Sequence, residues 1–239
     1  MRNVFVVTER RADFSRFKPI LEFIDKDENL NYDLVVTGIH LLDSHGKTID
    51  EIVEGGFKVF KTVKMFEENI DRDSGAEMTV AFGRVTMGLV KAIEESKPDI
   101  ILSGFDIGAN LAVSIAGAHM NIPVVHIQGG EVSGTIDESI RHAVSKFSHY
   151  HLVSNNDAKN RLIKMGEIPN HVFVVGCPSI DAMLDIDISS PVEIKKKFNI
   201  DVSKQFFLVL QHPVTTELHK AKKQIKESLN AIKKSGIEC

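Results

Sequence analysis

The sequence predicts a doubly wound α/β domain, seven short parallel strands with helices on both faces, followed by the opening of a second α/β domain. Three observations predict it. Short apolar runs alternate with longer stretches of helical period over residues 3–185, the pattern of parallel strands covered on both faces. Lys97-Pro98-Asp99 and Asn121-Ile122-Pro123 each end a helix and open a strand. With 239 residues, 43% hydrophobic and 26% charged, the composition is that of a core-forming globular chain, which excludes disorder and collagen-like structure.

In chain order, strands are expected at 3–8, 33–37, 57–63, 100–103, 124–127, 149–154 and 172–176. Helices are expected between them at 15–26, 75–96, 108–119, 137–147, 156–165 and 179–185. The texture then changes at Ser189-Ser190-Pro191, a capped start for a helix over 192–198. Gln205-Phe206-Phe207-Leu208-Val209-Leu210 reads as a fully apolar strand, and a lysine-rich helix is expected over 216–234. Ala221, Ile225, Leu229 and Ile232 share one face of that helix, which assigns its lysines to a solvated side. One strand and one helix do not make a sheet. The chain is therefore divided into a first domain at 1–188 and a linker plus unfinished second domain at 189–239.

A formal net charge of -4 supplies no clustered basic surface, which argues against a nucleic-acid partner. Cys177 and Cys239 are too few for a disulfide framework or a structural zinc site. Met1 leads straight into strand-like sequence, and no apolar run approaches the roughly 18 residues of a membrane span. A cytoplasmic protein without membrane contact is expected.

In an open parallel sheet, ligands bind beyond the carboxyl ends of the strands. Four loops there are rich in polar groups: Thr8 to Ser15, Thr37 to His40, Gly104-Phe105-Asp106, and His126 to Glu131. The first lacks the GxGxxG spacing of a dinucleotide site, and no P-loop is present. Arg10 and Arg11 offer guanidinium groups to a phosphate or carboxylate at a helix N-terminus, with an ion pair to Asp13 as the alternative. Gly129-Gly130 permits a tight turn that presents Glu131 in a loop. Thr135 and Glu138 have capping-box spacing around Asp137. Arg141 and His142 follow one turn later, placed for either a structural hydrogen bond or a ligand. Carboxylates converging with histidines, without a metal motif, suggest proton transfer.

Arg11-Ala12-Asp13, Thr37-Gly38-Ile39-His40-Leu41, the run from His126 to His142, Gly176-Cys177-Pro178-Ser179 and Gln211-His212-Pro213-Val214-Thr215-Thr216 together resemble the hydrolysing UDP-N-acetylglucosamine 2-epimerases. The resemblance covers essentially the whole chain. It implies a GT-B-like architecture of two Rossmann-like domains, a UDP-sugar substrate, elimination of UDP across C1 and C2, and rehydration with inversion at C2. No metal or redox cofactor is implied, and a dimer or tetramer is. Related members act on UDP-N,N'-diacetylbacillosamine.

Carried over residue by residue, the resemblance makes Asp106, Glu131, Asp137 and His212 catalytic candidates, and Arg11, Asp13, His40, Gln128, Arg141 and His142 substrate-binding candidates. Two positions depart from the pattern. Gly104-Phe105-Asp106 replaces a Gly-Asp-Arg run, leaving the carboxylate without its arginine, and Gln128 stands where some relatives have Glu. Relatives continue beyond the position of Cys239, so weak turnover by the 239-residue chain alone is expected. The alternative readings are a non-catalytic interaction domain and a GT-B glycosyltransferase.

Overall fold

A computed structural model describes residues 1–67, 74–184 and 188–237. They fall into two units, Met1–Leu184 and Asp185–Cys239. The first unit is built on a parallel sheet of β1 (Arg2–Thr8), β2 (Leu30–Thr37), β3 (Val59–Val63), β4 (Ile100–Gly104), β5 (Val124–Ile127), β6 (Tyr150–Val153) and β7 (Val172–Val174). The order across the sheet is β3-β2-β1-β4-β5-β6-β7. All seven expected strands form, with β2 beginning at Leu30 rather than 33.

The period-two pattern of β1 shows why the sheet is covered on both faces. Phe5 and Val7 join one core with Leu89 and Ile93 of α3 (Gly75–Ser96) and with Ala112 and Val113 of α4 (Gly108–His119). Val4 and Val6 join the opposite core with Phe17 and Leu21 of α1 (Arg11–Asp25) and Ile52 of α2 (Ile49–Glu54). Phe17 is wholly buried, so its truncation to alanine would cost roughly 3–5 kcal/mol. A third cluster links β6 and β7 to α6 (Asn156–Lys164) through Val153, Leu162 and Val172. The remaining helices of this unit are α5 (Ile136–Lys146) and α7 (Pro178–Leu184). Sequence analysis missed α2, a six-residue helix too short to show a period.

Helix ends follow local chemistry. Ser74 caps α3 by accepting from the Glu77 N–H, and Lys97 ends that helix at φ 50° before Pro98. The expected capping box at α5 does not form. Thr135 accepts from the Asp137 N–H, but Glu138 turns outward to accept from the Ser133 N–H at 2.7 Å. The loop entering the helix thus claims the carboxylate.

In the second unit, α8 (Pro191–Phe198) carries the reciprocal Ser190–Glu193 box, and α9 spans Ala221–Ser235. α9 starts later than expected because 3-10 turns occupy Thr215–Lys220. The expected apolar strand is absent. Phe206 makes a single bridge, and Leu208 and Leu210 are 89% and 84% exposed. An extended run becomes a strand only when a neighbour takes up its N–H and C=O groups, and this run finds no ladder among the described residues.

Candidate active site

The chain winds outward from β1 in both directions, to β2 and β3 on one side and to β4 and beyond on the other. The loops after β1 and β4 therefore part at a topological switch point, where open α/β sheets form their crevice. Glu9, Arg10, Phe105 and Asp106 lie in these two loops.

Glu9 is 1% exposed. Its carboxylate accepts from the Ala109 N–H at 3.0 Å, in the first turn of α4, and pairs with Arg10 at 2.5 Å. It packs on Gly38, where an added Cβ would stand 2.2 Å from the Glu9 Cγ and φ is +64°. Sequence analysis missed Glu9 as a site residue. The only signal was an acidic residue directly at a strand end, and only the pairing of β1 with β4 shows that α4 starts above it.

Asp13 is not the surface partner of Arg10 or Arg11. It is buried, and its carboxylate accepts from the Glu9 and Arg10 N–H groups at 2.8 Å each, closing the turn into α1. Burial raises its carboxyl to about 7; these two hydrogen bonds oppose that rise and the Glu9 charge adds to it. Arg11 is exposed and lies 3.9 Å from Glu51. His40 is fully buried, with Nε2 3.1 Å from Thr8 Oγ1 and Nδ1 2.6 Å from Thr48 Oγ1. Burial lowers it to about 4. With both nitrogens engaged, His40 shapes the loop from beneath instead of presenting a ring to a ligand.

The carboxylate of Asp106 does have an arginine. Arg141, from α5, donates Nη2 to Asp106 and Nη1 to the Glu131 carbonyl at 3.0 Å. One nearly buried guanidinium thus ties the loop after β4 to the loop after β5. The Glu131 side chain has no partner among the described residues. Asp137 is exposed and accepts from the Thr135 hydroxyl at 3.0 Å. His142 lies 3.9 Å from Glu138 through Nε2, and its buried Nδ1 is unpartnered.

The strand ends themselves are bent. Phe105 and Gln128, the first residues after β4 and β5, hold φ of 69° and 58°. Left-handed backbone at non-glycine residues is strained and clusters at functional sites. Gln128 Nε2 reaches Cys177 Sγ at 3.0 Å, which directs the side chain toward the start of α7. His212 lies in the second unit, exposed in a loop after the extended run. The structure thus brings Asp106, Glu131 and Arg141 together, and sets Asp13 and His40 beneath the neighbouring loop.

Among the described residues, no group of three or more His, Cys, Asp or Glu side chains could hold a metal ion, and no helix is long and apolar enough to cross a membrane.

Comparison with known proteins places this geometry in a family. A relative from Legionella pneumophila, a UDP-N,N'-diacetylbacillosamine 2-epimerase (hydrolyzing), is 34% identical over 238 residues, covering 100% of this chain and 62% of its own length. A UDP-N-acetylglucosamine 2-epimerase from Neisseria meningitidis serogroup B is 33% identical, covering 99% of this chain and 61% of its own. The chain therefore spans about three fifths of the length of the relatives it matches. Among solved structures, the UDP-N-acetylglucosamine 2-epimerase from Rickettsia bellii superposes with a TM-score of 0.74 at 18% identity, over 98% of this chain and 60% of that one. The Neisseria meningitidis enzyme bound to UDP-GlcNAc gives 0.67 at 21% identity, over 82% and 50%. These two likenesses concern the fold. The profile described as UDP-N-acetylglucosamine 2-epimerase matches residues 22–238, and the chain belongs to that family.

Proposed function

We propose that the protein acts as a hydrolysing 2-epimerase on a UDP-N-acetylhexosamine, converting UDP-N-acetylglucosamine and water to N-acetylmannosamine and UDP. The observation that carries the reading is the Asp106–Arg141 pair beside the Glu131 loop, at the switch point of a chain belonging to this family. The reaction removes the C2 proton while the C1–O bond to UDP breaks, leaving a 2-acetamidoglucal with a double bond between C1 and C2. Water then supplies hydroxyl to C1 and a proton to the opposite face of C2. Such chemistry needs positioned carboxylates and a cation more than any cofactor.

Asp106, Glu131 and Asp137 are assigned the proton transfers, and His212 the departing phosphate. Arg141 and His142 are assigned to the sugar side, Arg11 to the phosphate side. Gln128 is assigned to sugar contacts. Asp13 and His40 are assigned to shaping the binding loop. Residues 1–188 are read as the sugar-side domain and 189–239 as the linker and opening of a nucleotide-binding domain. The Legionella and Neisseria relatives, at 34% and 33% identity, differ in the sugar they are named for, so the 4-substituent is part of the test.

The test is incubation with UDP-N-acetylglucosamine, and separately with UDP-N,N'-diacetylbacillosamine, in deuterated water. NMR would follow UDP release and the C2 position. UDP release with deuterium at C2 and inverted configuration is expected with one of the two. Sugar transfer with protium retained at C2 would indicate a glycosyltransferase and overturn the reading.

A further inference from the structure

Asp106 and Arg141 meet from two separate supports. Asp106 follows Phe105 in a loop, and Arg141 stands on α5. Between these two supports lies His126, on β5, with no exposed surface. Its Nε2 is 3.2 Å from the Phe105 carbonyl, and its Nδ1 is 3.0 Å from Ser145 Oγ. Ser145 Oγ is in turn 3.2 Å from the Arg141 carbonyl, one helical turn earlier.

The proton positions follow from the partners. A carbonyl oxygen only accepts, so Nε2 carries the hydrogen and donates it to Phe105. Nδ1 then holds a lone pair toward the Ser145 hydroxyl, whose single proton is shared between Nδ1 and the Arg141 carbonyl. These contacts close a ring. It runs from the Asp106 carboxylate to the Arg141 guanidinium, along α5 to Ser145, across His126 to the Phe105 carbonyl, and back through one peptide to Asp106.

We infer that His126 is a positioning residue for the Asp106–Arg141 pair, a rigid spacer that fixes the loop after β4 against α5 so that carboxylate and guanidinium meet. Neutral imidazole suits the task because it places one donor and one acceptor on opposite sides of a flat ring. A carboxamide carries both at the same end and cannot span the two partners. The local backbone is shaped around this contact. At Gly129 an added Cβ would stand 2.7 Å from His126 Nδ1 and 3.0 Å from Ser145 Oγ. The φ of 69° at Phe105, in turn, is the left-handed conformation of the residue whose carbonyl His126 holds.

The catalytic meaning of this device rests on the proposed epimerase reading, but its geometry can be tested without substrate. In 15N-arginine-labelled 239-residue chain, the Arg141 Nη–H signals would be assigned by their loss in Arg141→Lys. Their exchange rate would then be compared in wild type, Asp106→Asn, Ser145→Ala and His126→Asn, with Leu162→Ala as a core-truncation control in the β6–β7 cluster. Circular dichroism would establish that each is folded. Losing one hydrogen-bonded link is expected to speed exchange on the order of tenfold in Ser145→Ala and His126→Asn, approaching Asp106→Asn, with no change in Leu162→Ala. Unaltered exchange in folded Ser145→Ala would overturn the inference, as would equal acceleration in Leu162→Ala. If His126→Asn does not fold, the Ser145→Ala comparison decides alone. Absence of turnover with both UDP-sugars would refute the epimerase reading and leave this measurement intact.

Discussion

The guanidinium of Arg141 reaches the carboxylate of Asp106 across 35 residues of sequence, and its second arm holds the Glu131 carbonyl. The arginine that the sequence lacks beside Asp106 is thus delivered from a different helix. Arg141→Lys should retain the charge but lose the two-armed grip, since an ammonium is a point donor. Turnover is expected to fall roughly 100- to 1000-fold in Arg141→Ala and less in Arg141→Lys. Steady-state kinetics on the UDP-sugar that responds in deuterated water would check the order.

Asp137 tests the carboxylate assignment separately. Its side chain is exposed and bonds only locally to Thr135, so Asp137→Asn should leave the melting temperature within a degree or two while removing most turnover. Near-normal turnover by the folded variant would strike Asp137 from the catalytic residues.

Glu9 predicts a stability effect. Glu9→Ala leaves the Ala109 N–H without its acceptor and Arg10 without its carboxylate, at a cost of about 3 kcal/mol. Glu9→Gln keeps an acceptor for Ala109 and should cost less. Urea unfolding of both variants would rank them.

Gly38→Ala should be among the most damaging small substitutions in the first unit. The new methyl would meet Glu9 at 2.2 Å in a left-handed backbone, so neither rotation nor a modest shift relieves it. A loss of several kcal/mol is expected, in contrast to Gly83→Ala on α3, where nothing lies within 4 Å and helix propensity gains roughly 1 kcal/mol. Thermal melts of the pair would show opposite signs.

The buried titratable groups define a pH optimum of stability. Asp13 has a folded value raised to about 7 from 3.8, so its contribution is complete below about 4 and is lost as pH rises toward 7. His40 and His126 are lowered by burial to about 4 and about 3, so theirs is complete above their ordinary value of 6.5 and is lost as pH falls. Two histidines outweigh one carboxyl between 4 and 6.5, and the carboxyl acts alone above that. Chemical denaturation across pH 4–9 should therefore peak near neutrality. Asp13→Asn should flatten the decline just below pH 7, and unchanged curvature would refute this account of the turn.

What the sequence revealed followed from periodicity. Strands such as Val124–Ile127 and helices such as Gly75–Ser96 bury faces set by local spacing, and both form at the expected residues. The apolar run at Phe206–Leu210 misled because hydrophobicity marks a segment able to pair, whereas a strand also needs a neighbour. At the site, loop positions were legible and partners were not. Asp106 was located by its place after β4, but its arginine comes from α5, and the burial of Glu9 depends on β1 lying beside β4. His126 was legible as the start of the polar loop after β5, but its role was not, because its two partners belong to separate elements.

The strand order also bears on how the chain is made. β1 takes β2 on one flank and β4 on the other, with Val4 opposite Ile100. During synthesis at about 5–20 residues per second, the second flank of β1 waits roughly 5–20 s for its neighbour to be translated. Throughout that interval β1, an interior strand of the finished sheet, is an outer edge with open N–H and C=O groups and an uncovered apolar face. The span before Ile100 is made, about two fifths of these 239 residues, is thus the stage at which this protein most needs shelter from other chains.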